Sequence, residues 1–454
     1  MTRTLPELTR ELDTTWLVVA AVLVMFMQAG FACLEIGFSR GKNAGTVVAK
    51  ILLNFSIASL VWWMVGFGLA FGGGAWLIGD SGFFLSVGHR ISAGSPIAGT
   101  FDAPDAGYVL FQLVFCAVSL AIVWGTTLER IRFVAYPIYA TVFAALIYPL
   151  VAHWIFGGGW LDRLGDGMQD FAGSTVVHLT GATGGLAALL LLGPRSGKYG
   201  PGREPRAIPG HSMPVFGLGV LILWLGWFGF NAGSTIGTGG GRFAEIALVT
   251  NLAAAAGVVG ASIAITSISG RLDIGMVGNG AIGALVAITA PCGFVELWAA
   301  PLIGVVAGAL VVVSVLAIDR VLDDPVGALS AHGVAGVWGT LACGLFASPR
   351  IVDQPGVPGR PGLVYGGGFE QLGVQAVGVL SAFTVVFVLS YLTFAAIKAT
   401  VGLRVTDDEE REGLDIVEHG MYGYPEQFMG GGELADGVGL LGDEPPVGSP
   451  GGAR

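Results

Sequence analysis

Apolar residues along this chain come in long blocks rather than in alternation with polar ones. A helix needs about 20 apolar residues to cross the hydrocarbon core of a bilayer, whereas a barrel strand would need alternation. Eleven blocks reach the helical length, near 15–38, 50–71, 108–129, 133–155, 171–193, 212–233, 245–268, 274–293, 298–318, 328–348 and 371–398. The pattern therefore predicts an all-α membrane protein with eleven transmembrane helices.

The composition supports this prediction. Of the 454 residues, 53% are hydrophobic and only 12% are charged, against about 25% charged in an ordinary soluble domain. These values exclude a soluble enzyme, a nucleic-acid binder and a disordered protein. The 75 glycines have no collagen-like period, and pairs such as Gly304 and Gly308 instead indicate close helix packing. Four single cysteines are interpreted as small packing residues: Cys33, Cys116, Cys292 and Cys343.

The positions of the basic residues predict the orientation of the chain. An odd number of spans puts the two termini on opposite sides of the membrane. If the N-terminus is outside, most of the 22 Lys and Arg residues fall in inner segments. Because inner loops carry the excess of Lys and Arg, we expect an outer N-terminus and an inner C-terminus in the cytoplasmic membrane.

The chain divides into a membrane domain, residues 1–400, and a cytoplasmic tail, residues 401–454. After the eleventh block the sequence becomes acidic and polar (TDDEEREGLDIVEHG). From about residue 430 it is rich in Gly and Pro and lacks apolar periodicity. Such composition cannot bury enough apolar surface to fold, so we expect disorder there.

Two membrane blocks share a pattern of polar residues, which are costly inside a bilayer and so require an explanation. The shared residues are Asp170, Gly173 and His178 in the fifth block and Asp324, Gly327 and His332 in the tenth. Because these blocks would cross in opposite directions, the match predicts an inverted repeat of five helices plus a final helix. That symmetry would bring the two histidines together near the midplane.

Three roles are open to such a histidine pair. The imidazoles could simply hydrogen-bond to the backbone or to each other and hold helices together. Metal binding needs three or four ligands, and no Cys or carboxylate lies at comparable depth near either histidine, so we expect no metal and no cofactor. The third role is a row of imidazoles along a narrow path, because neutral His offers one donor and one acceptor to a small molecule that does both.

Asp170 and Asp324 stand at predicted helix starts. An aspartate at such a position accepts hydrogen bonds from free backbone N–H groups. We therefore interpret both residues as structural caps. Asp170 also faces the outer side, where a cation would arrive, and this gives it a second candidate role.

Five motifs also carry a family resemblance. They are DFAGSTVVH (170–178), WFGFNAGS (227–234), GNGAIGALVAITAPCG (278–293), HGVAGVWGTL (332–341) and EGLDIVEHG (412–420). From about residue 12 to 425 the chain resembles the ammonium transporters, the Amt branch of the Amt/Mep/Rh family. The resemblance implies eleven membrane helices, a homotrimer, and one pore per subunit for ammonium or its analogue methylammonium.

The resemblance also implies roles for individual residues. His178 and His332 look like the twin histidines of the pore, and Phe115 and Phe230 look like its two gating phenylalanines. The implied outer recruitment site consists of Phe111, Phe156, Ser234 and Asp170.

One position departs from the family pattern. Phe156, in HWIFGGGW, stands where the family usually has tryptophan. Because cation–π attraction is weaker with Phe than with Trp, we expect weaker recruitment of ammonium. Trp154 and Trp160 are the two residues that could take over the role.

Electrostatics predicts that ammonia, and not the ion, passes the pore. Burial of a bare ammonium-sized ion costs on the order of 20 kcal/mol, so the cation should stop outside and lose its proton there. Neutral ammonia could then pass the two phenylalanines and reach the imidazoles, and we expect the proton to cross separately. Two alternatives stay open: an ammonium sensor with the same fold and little conduction, and an electroneutral ammonia gas channel. No enzymatic chemistry is indicated.

The tail sequence VGLRVTDDEEREGLDIVEHG resembles the segment through which bacterial members couple subunits and dock a P-II-type nitrogen regulator. A solvated acidic tail is the alternative interpretation. The expected partners are thus ammonium, lipid, two further copies of the chain and a P-II-type regulator, with no nucleic acid.

Overall fold

Each predicted apolar block corresponds to one helix of the protein. The computed structural model describes residues 3–428, so the disorder expected after about residue 430 lies outside the described residues. The helices are α1 (Leu5–Phe38), α2 (Gly41–Phe71), α3 (Asp105–Gly125), α4 (Ala135–Ile155), α5 (Ser174–Leu192), α6 (Met213–Ala232), α7 (Gly239–Ser269), α8 (Ile274–Thr289), α9 (Ala299–Ile318), α10 (Leu329–Phe346) and α11 (Glu370–Thr400). Ten of them are long and apolar enough to cross a membrane, and α8 is a shorter apolar helix. The predicted all-α membrane fold is confirmed, and the eleven blocks are compatible with these helices.

Several helix starts differ from the apolar boundaries, and two of the differences have a clear local reason. Helix α1 begins at Leu5, about three turns before the apolar block, because helix formation there depends on capping: Glu7 accepts a hydrogen bond from the Thr4 backbone N–H at 2.8 Å. Helix α5 begins only at Ser174. The preceding Gly173 has a φ of 112°, a left-handed conformation that favours glycine.

Five of the membrane helices contain a π-helical turn, a feature frequent at functional sites. These turns are Trp62–Gly66, Phe143–Ile147, Ser174–Leu179, Phe228–Ala232 and Leu329–Val334. His178 and His332 lie in two of them, and each of these two turns follows a glycine with positive φ, Gly173 or Gly327. The two halves of the inverted repeat therefore share a backbone conformation here as well as residue types.

The remaining elements are short. The strands β1 (Arg90–Ile91) and β2 (Gly99–Thr100) pair antiparallel in the segment between α2 and α3. In the described part of the tail, up to residue 428, two helices follow α11: α12 (Asp407–Glu412) and α13 (Leu414–His419). Single helical turns lie at Pro291–Gly293, Pro349–Val352, Leu363–Tyr365 and Pro425–Phe428.

The described part of the tail packs against those ends of the membrane helices that the predicted orientation places inside. Glu410 is 1% exposed and accepts hydrogen bonds from the Ser196 backbone N–H at 2.8 Å and from Arg404 at 2.7 Å. Asp415 is fully buried and accepts from the backbone N–H groups of Gly45 and Thr46. These two acidic residues anchor the segment rather than lying in solvent.

A cluster of ion pairs joins the loops at the same end of the bundle. Arg195 contacts Asp323 at 2.8 Å, and Arg40 contacts Glu129 at 2.6 Å. Burial alone would raise the pKa of Asp323, but the hydrogen bonds from Arg195 and the charge of Arg130 hold that pKa well below its usual range. These carboxylates are therefore ionised and fully paired.

Helices α7 and α9 touch backbone to backbone. A β-carbon at Gly304 would lie 2.1 Å from the Ala253 carbonyl oxygen, and one at Gly308 would lie 2.1 Å from the Gly257 carbonyl oxygen. Since real contacts are never this close, neither position has room for a side chain. Gly304 and Gly308 thus form the small-residue packing pair that their spacing predicts.

Replacement of Gly308 should separate α7 from α9. We expect Gly308→Val to lower the free energy of unfolding by about 1–3 kcal/mol or more, because overpacking displaces backbone that cannot yield. Thermal unfolding followed by tryptophan fluorescence measures this loss. Gly373→Ala on α11 is the matched control, since a β-carbon there meets no atom within 4 Å. Equal melting temperatures for the two variants would contradict the packing account.

Candidate functional site

A cavity of about 670 Å³ opens at the end of the bundle that the predicted orientation places outside. It is called the outer cavity below. Its aromatic lining consists of Tyr108, Phe115, Phe156, Phe171 and Phe294. Its polar lining consists of Gln112, Asp162, Asp170, Ser234, Thr235, Arg242 and Gln354. The combination of ring faces, hydroxyls and carboxylates suits a small cation better than an anion.

Three of the four predicted recruitment residues line the outer cavity: Phe156, Ser234 and Asp170. The fourth, Phe111, is fully buried and is not among the lining residues. Its ring packs against Phe115, with centroids 4.6 Å apart, and lies beside Gly233 at the end of α6. A contact between Phe111 and a ligand in this cavity stays a prediction.

Tyr108, which was not predicted from the sequence, also lines the outer cavity. Residues 108, 112 and 115 share one face of α3 because they are spaced at four and three residues, and all three line the outer cavity. That helical spacing is the signal that could have identified Tyr108. The two tryptophans near Phe156 are no substitute, because Trp154 and Trp160 line a separate recess against α11.

Phe115 lines the outer cavity, and Phe230, which is not among the lining residues, stacks against Phe115; this pair is called the floor of the outer cavity below. Their rings stack with centroids 4.0 Å apart and an interplanar angle of 12°, and neither side chain is more than 1% exposed. Phe115 reaches the pair from α3, and Phe230 reaches it from the π-helical turn of α6. The floor therefore offers ring faces and no hydrogen-bonding group.

The two histidines lie directly behind this floor. Phe230 is 5.4 Å from His178, centroid to centroid, and His178 is 5.3 Å from His332, with the two imidazoles 15° from parallel. Their Nδ1 atoms are 3.2 Å apart, so one Nδ1 donates and the other accepts. The Nε2 atom of His178 is buried and has no hydrogen-bond partner within residues 3–428. The repeat thus brings together the residues that its symmetry predicts.

Asp170 and Asp324 serve as caps. Asp170 is 4% exposed; one carboxylate oxygen accepts from the Gly173 N–H at 3.1 Å, and the other accepts from the Thr175 and Val176 N–H groups at 3.0 Å each. Asp324 accepts from the Leu329 N–H at 2.7 Å. Each aspartate therefore fixes the turn that carries its histidine.

A second, smaller cavity of about 20 Å³ lies on the other side of the histidine pair. It is called the inner cavity below. His332 lines it together with Asn279, Phe31 and the buried residue Glu35. Glu35 was not predicted from the sequence, although a charged residue inside the first apolar block is unusual enough to indicate a special role. Within residues 3–428 no group of three or more His, Cys, Asp or Glu is placed to hold a metal ion.

Comparison with known proteins identifies the family. Residues 15–424 match the model of the Ammonium Transporter Family. The chain belongs to the ammonium transporter family. It is 44% identical to Ammonium transporter Amt2 of Archaeoglobus fulgidus, over 92% of this chain and 89% of that protein. It is 33% identical to the Ammonium transporter of Bacillus subtilis, over 92% and 99% of the two chains.

Solved structures of the family have the same fold. A structure described as Sensor Amt Protein superposes with a TM-score of 0.83 at 35% identity, covering 91% of this chain and all of that one. Mep2 of Candida albicans superposes with a TM-score of 0.80 at 28% identity, covering 91% and 90%. A membrane protein of the ammonium transporter family is thereby established.

Because Asp170 accepts more backbone hydrogen bonds than Asp324, its replacement should destabilise the protein more. Asp170→Asn should lower the free energy of unfolding by about 1–3 kcal/mol, because the amide nitrogen cannot accept and leaves buried N–H groups unpaired. Asp324→Asn should cost less, since its carboxylate accepts fewer such bonds. Melting temperatures of both purified variants measure the difference. A wild-type melting temperature for Asp170→Asn, or a larger loss for Asp324→Asn, would contradict the role of the cap.

Proposed function

We propose that this protein transports ammonium across the cytoplasmic membrane, with its N-terminus outside and its C-terminus inside. In this proposal ammonium binds in the outer cavity and loses its proton, and ammonia passes the phenylalanine pair to the twin histidines. One observation carries the proposal. A continuous row, Phe115, Phe230, His178 and His332, leads from the outer cavity toward the inner one, with each ring within 5.4 Å of the next.

Recruitment draws on aromatic faces, a hydroxyl and a charge. Phe156 and Tyr108 line the outer cavity and offer ring faces to a cation. The Ser234 hydroxyl donates to the Phe230 carbonyl at 2.9 Å, which leaves its lone pairs available to accept from ammonium. Asp170 acts at longer range, because its oxygens already accept backbone hydrogen bonds.

The floor of the cavity separates ammonia from the cation. A bare ion would have to exchange its water shell for two ring faces, and burial of such an ion costs on the order of 20 kcal/mol. Neutral ammonia avoids most of that cost. The first hydrogen-bonding group behind the floor is His178, whose Nε2 atom is buried without a partner. Potassium has no proton to lose and would stop at the floor.

The proton crosses through the histidine pair. The hydrogen bond between the two Nδ1 atoms, 3.2 Å long, is a two-site path along which a proton can be passed. Transport is then electrogenic, because one charge moves inward with each ammonia.

The resemblance to the Amt branch supports two further proposals, on the oligomeric state of the protein and on its regulation. We propose a homotrimer in which each subunit has its own row of residues. The proposed docking segment for a P-II-type regulator is α12 and α13, where Asp407 and Asp408 are exposed and Arg411 supplies a basic side chain.

A sensor is the second candidate function. It is favoured by the similarity to the structure described as Sensor Amt Protein, which this chain matches over the full length of that chain. In a sensor, ammonium would bind in the outer cavity and alter the packing of the tail, with little conduction. An electroneutral gas channel would instead conduct ammonia without charge.

Current measurements on proteoliposomes test the proposal. A jump in ammonium concentration should evoke a saturable inward current in the wild type, and His178→Ala should abolish it or make it unselective, because the row loses its first polar group. His89→Ala is the matched control, since His89 lies near β1 and outside the row, and it should keep the wild-type current.

A flat current in the wild type would contradict electrogenic transport. Ammonia uptake driven by a pH jump then separates the remaining candidates. Uptake without current indicates an electroneutral channel, and ammonium binding without uptake indicates a sensor.

A further inference from the structure

Glu35 and Lys50 form an ion pair inside the membrane domain that the proposed transport path does not use. Glu35 lies on the last turn of α1, and Lys50 lies in α2, about two turns from its start. Their side chains are 1% and 0% exposed, and the ammonium group of Lys50 contacts the Glu35 carboxylate. Two charges buried this deeply require a physical reason.

The pair lacks the hydrogen bonds that make a buried ion pair stable. Apart from Lys50, no donor within residues 3–428 reaches either carboxylate oxygen of Glu35. Lys50 itself donates to the Trp124 carbonyl at 3.3 Å and lies 5.9 Å from the Tyr136 ring centroid. Desolvation of two charges is offset only when the remaining lone pairs are satisfied. Glu35 therefore lacks the hydrogen bonds expected of a buried carboxylate with a purely structural role.

Glu129 shows what a structural carboxylate looks like in the same protein. It is as fully buried as Glu35, but it accepts from the Arg40 backbone N–H at 2.6 Å and from the Arg40 side chain at 2.7 Å. Arg195 adds a third contact at 3.4 Å. Glu129 does not line the inner cavity. Glu35 thus differs from Glu129 in the hydrogen bonds to its carboxylate and in its position at the inner cavity, and not in its burial.

Glu35 also adjoins the inner cavity. Glu35 and His332 both line it, and its volume of about 20 Å³ is enough for one water-sized molecule, which needs about 10–15 Å³ by this measure. Asn279, which donates to the Val326 carbonyl at 2.9 Å, supplies a further polar group. One small polar molecule held there would lie next to both His332 and Glu35.

We propose that Glu35 is the proton acceptor at the inner end of the histidine row and that Lys50 holds it ionised between turnovers. This inference rests on the proposed function, because it requires a proton that crosses separately from ammonia. The protonated His332 loses its N–H proton to the molecule in the inner cavity. That molecule in turn gives up a proton to the Glu35 carboxylate, on which an O–H bond forms. Ammonia then takes that proton, an N–H bond forms, and ammonium leaves while the carboxylate is regenerated.

Glu35→Gln in the full-length protein tests this assignment, because glutamine keeps the shape and cannot accept the proton. Two quantities are measured in the same proteoliposomes: charge, from the ammonium-evoked current, and ammonia flux, from an internal pH dye. We expect the charge moved per ammonia to fall by about 100-fold, within the range by which positioned acid–base groups act, while pH-driven ammonia flux persists. Glu35→Asp, which keeps a carboxylate, should restore charge movement.

Glu129→Gln is the matched control. It removes an equally buried carboxylate away from the inner cavity, so it should lower the melting temperature and leave the charge per ammonia unchanged. If the lone Lys50 charge prevents folding of Glu35→Gln, Glu35→Gln/Lys50→Met removes both charges, a change that buried pairs tolerate, and the same loss of charge movement is expected.

The outcomes separate this inference from the proposed function. An absence of ammonium-evoked charge in the wild type overturns electrogenic transport, and the role of Glu35 fails with it. If the wild type carries charge and the Gln variant keeps the wild-type charge per ammonia, only the assignment of Glu35 is overturned. An equal fall in charge and flux would show that Glu35 is structural and would also overturn the assignment.

Discussion

A bare cation enters hydrocarbon only at a cost of order 20 kcal/mol, and the placement of polar groups in this protein follows from that constraint. The cation-attracting groups line the outer cavity, ahead of two stacked phenylalanines. Behind that floor come two imidazoles, whose hydrogen-bonding groups would serve a neutral molecule in the proposed mechanism. In the proposed mechanism, deprotonation is therefore the step that admits ammonium and rejects ions of similar size.

The geometry of this row depends on local backbone devices that recur in both repeats. In each, an aspartate caps a π-helical turn that starts after a glycine with positive φ and carries the histidine. The wider turn of a π-helix reorients one side chain without ending the helix. Two copies related by opposite membrane direction then bring His178 and His332 within 3.2 Å at Nδ1.

The sequence allowed much of this to be predicted, because helix length and the matched Asp-Gly-His spacing are local properties. It did not predict that Phe111 packs beside Gly233 while Tyr108 lines the outer cavity. The sequence shows which residues share a helix face, but it does not show which neighbour each face meets. Nor did it predict the buried positions of Glu35 and Glu410. Burial of a charge depends on partners far along the chain, Lys50 in one case and Ser196 and Arg404 in the other.

The central claim is that the cation is not conducted as an ion. The most direct test compares ammonium and potassium jumps of equal size on the same wild-type proteoliposomes. The account predicts a saturable current with ammonium, no current with potassium, and an ammonium current that persists in excess potassium, because potassium cannot shed a proton at the phenylalanine floor. A potassium current comparable to the ammonium current would contradict the account, since the pore would then carry bare ions.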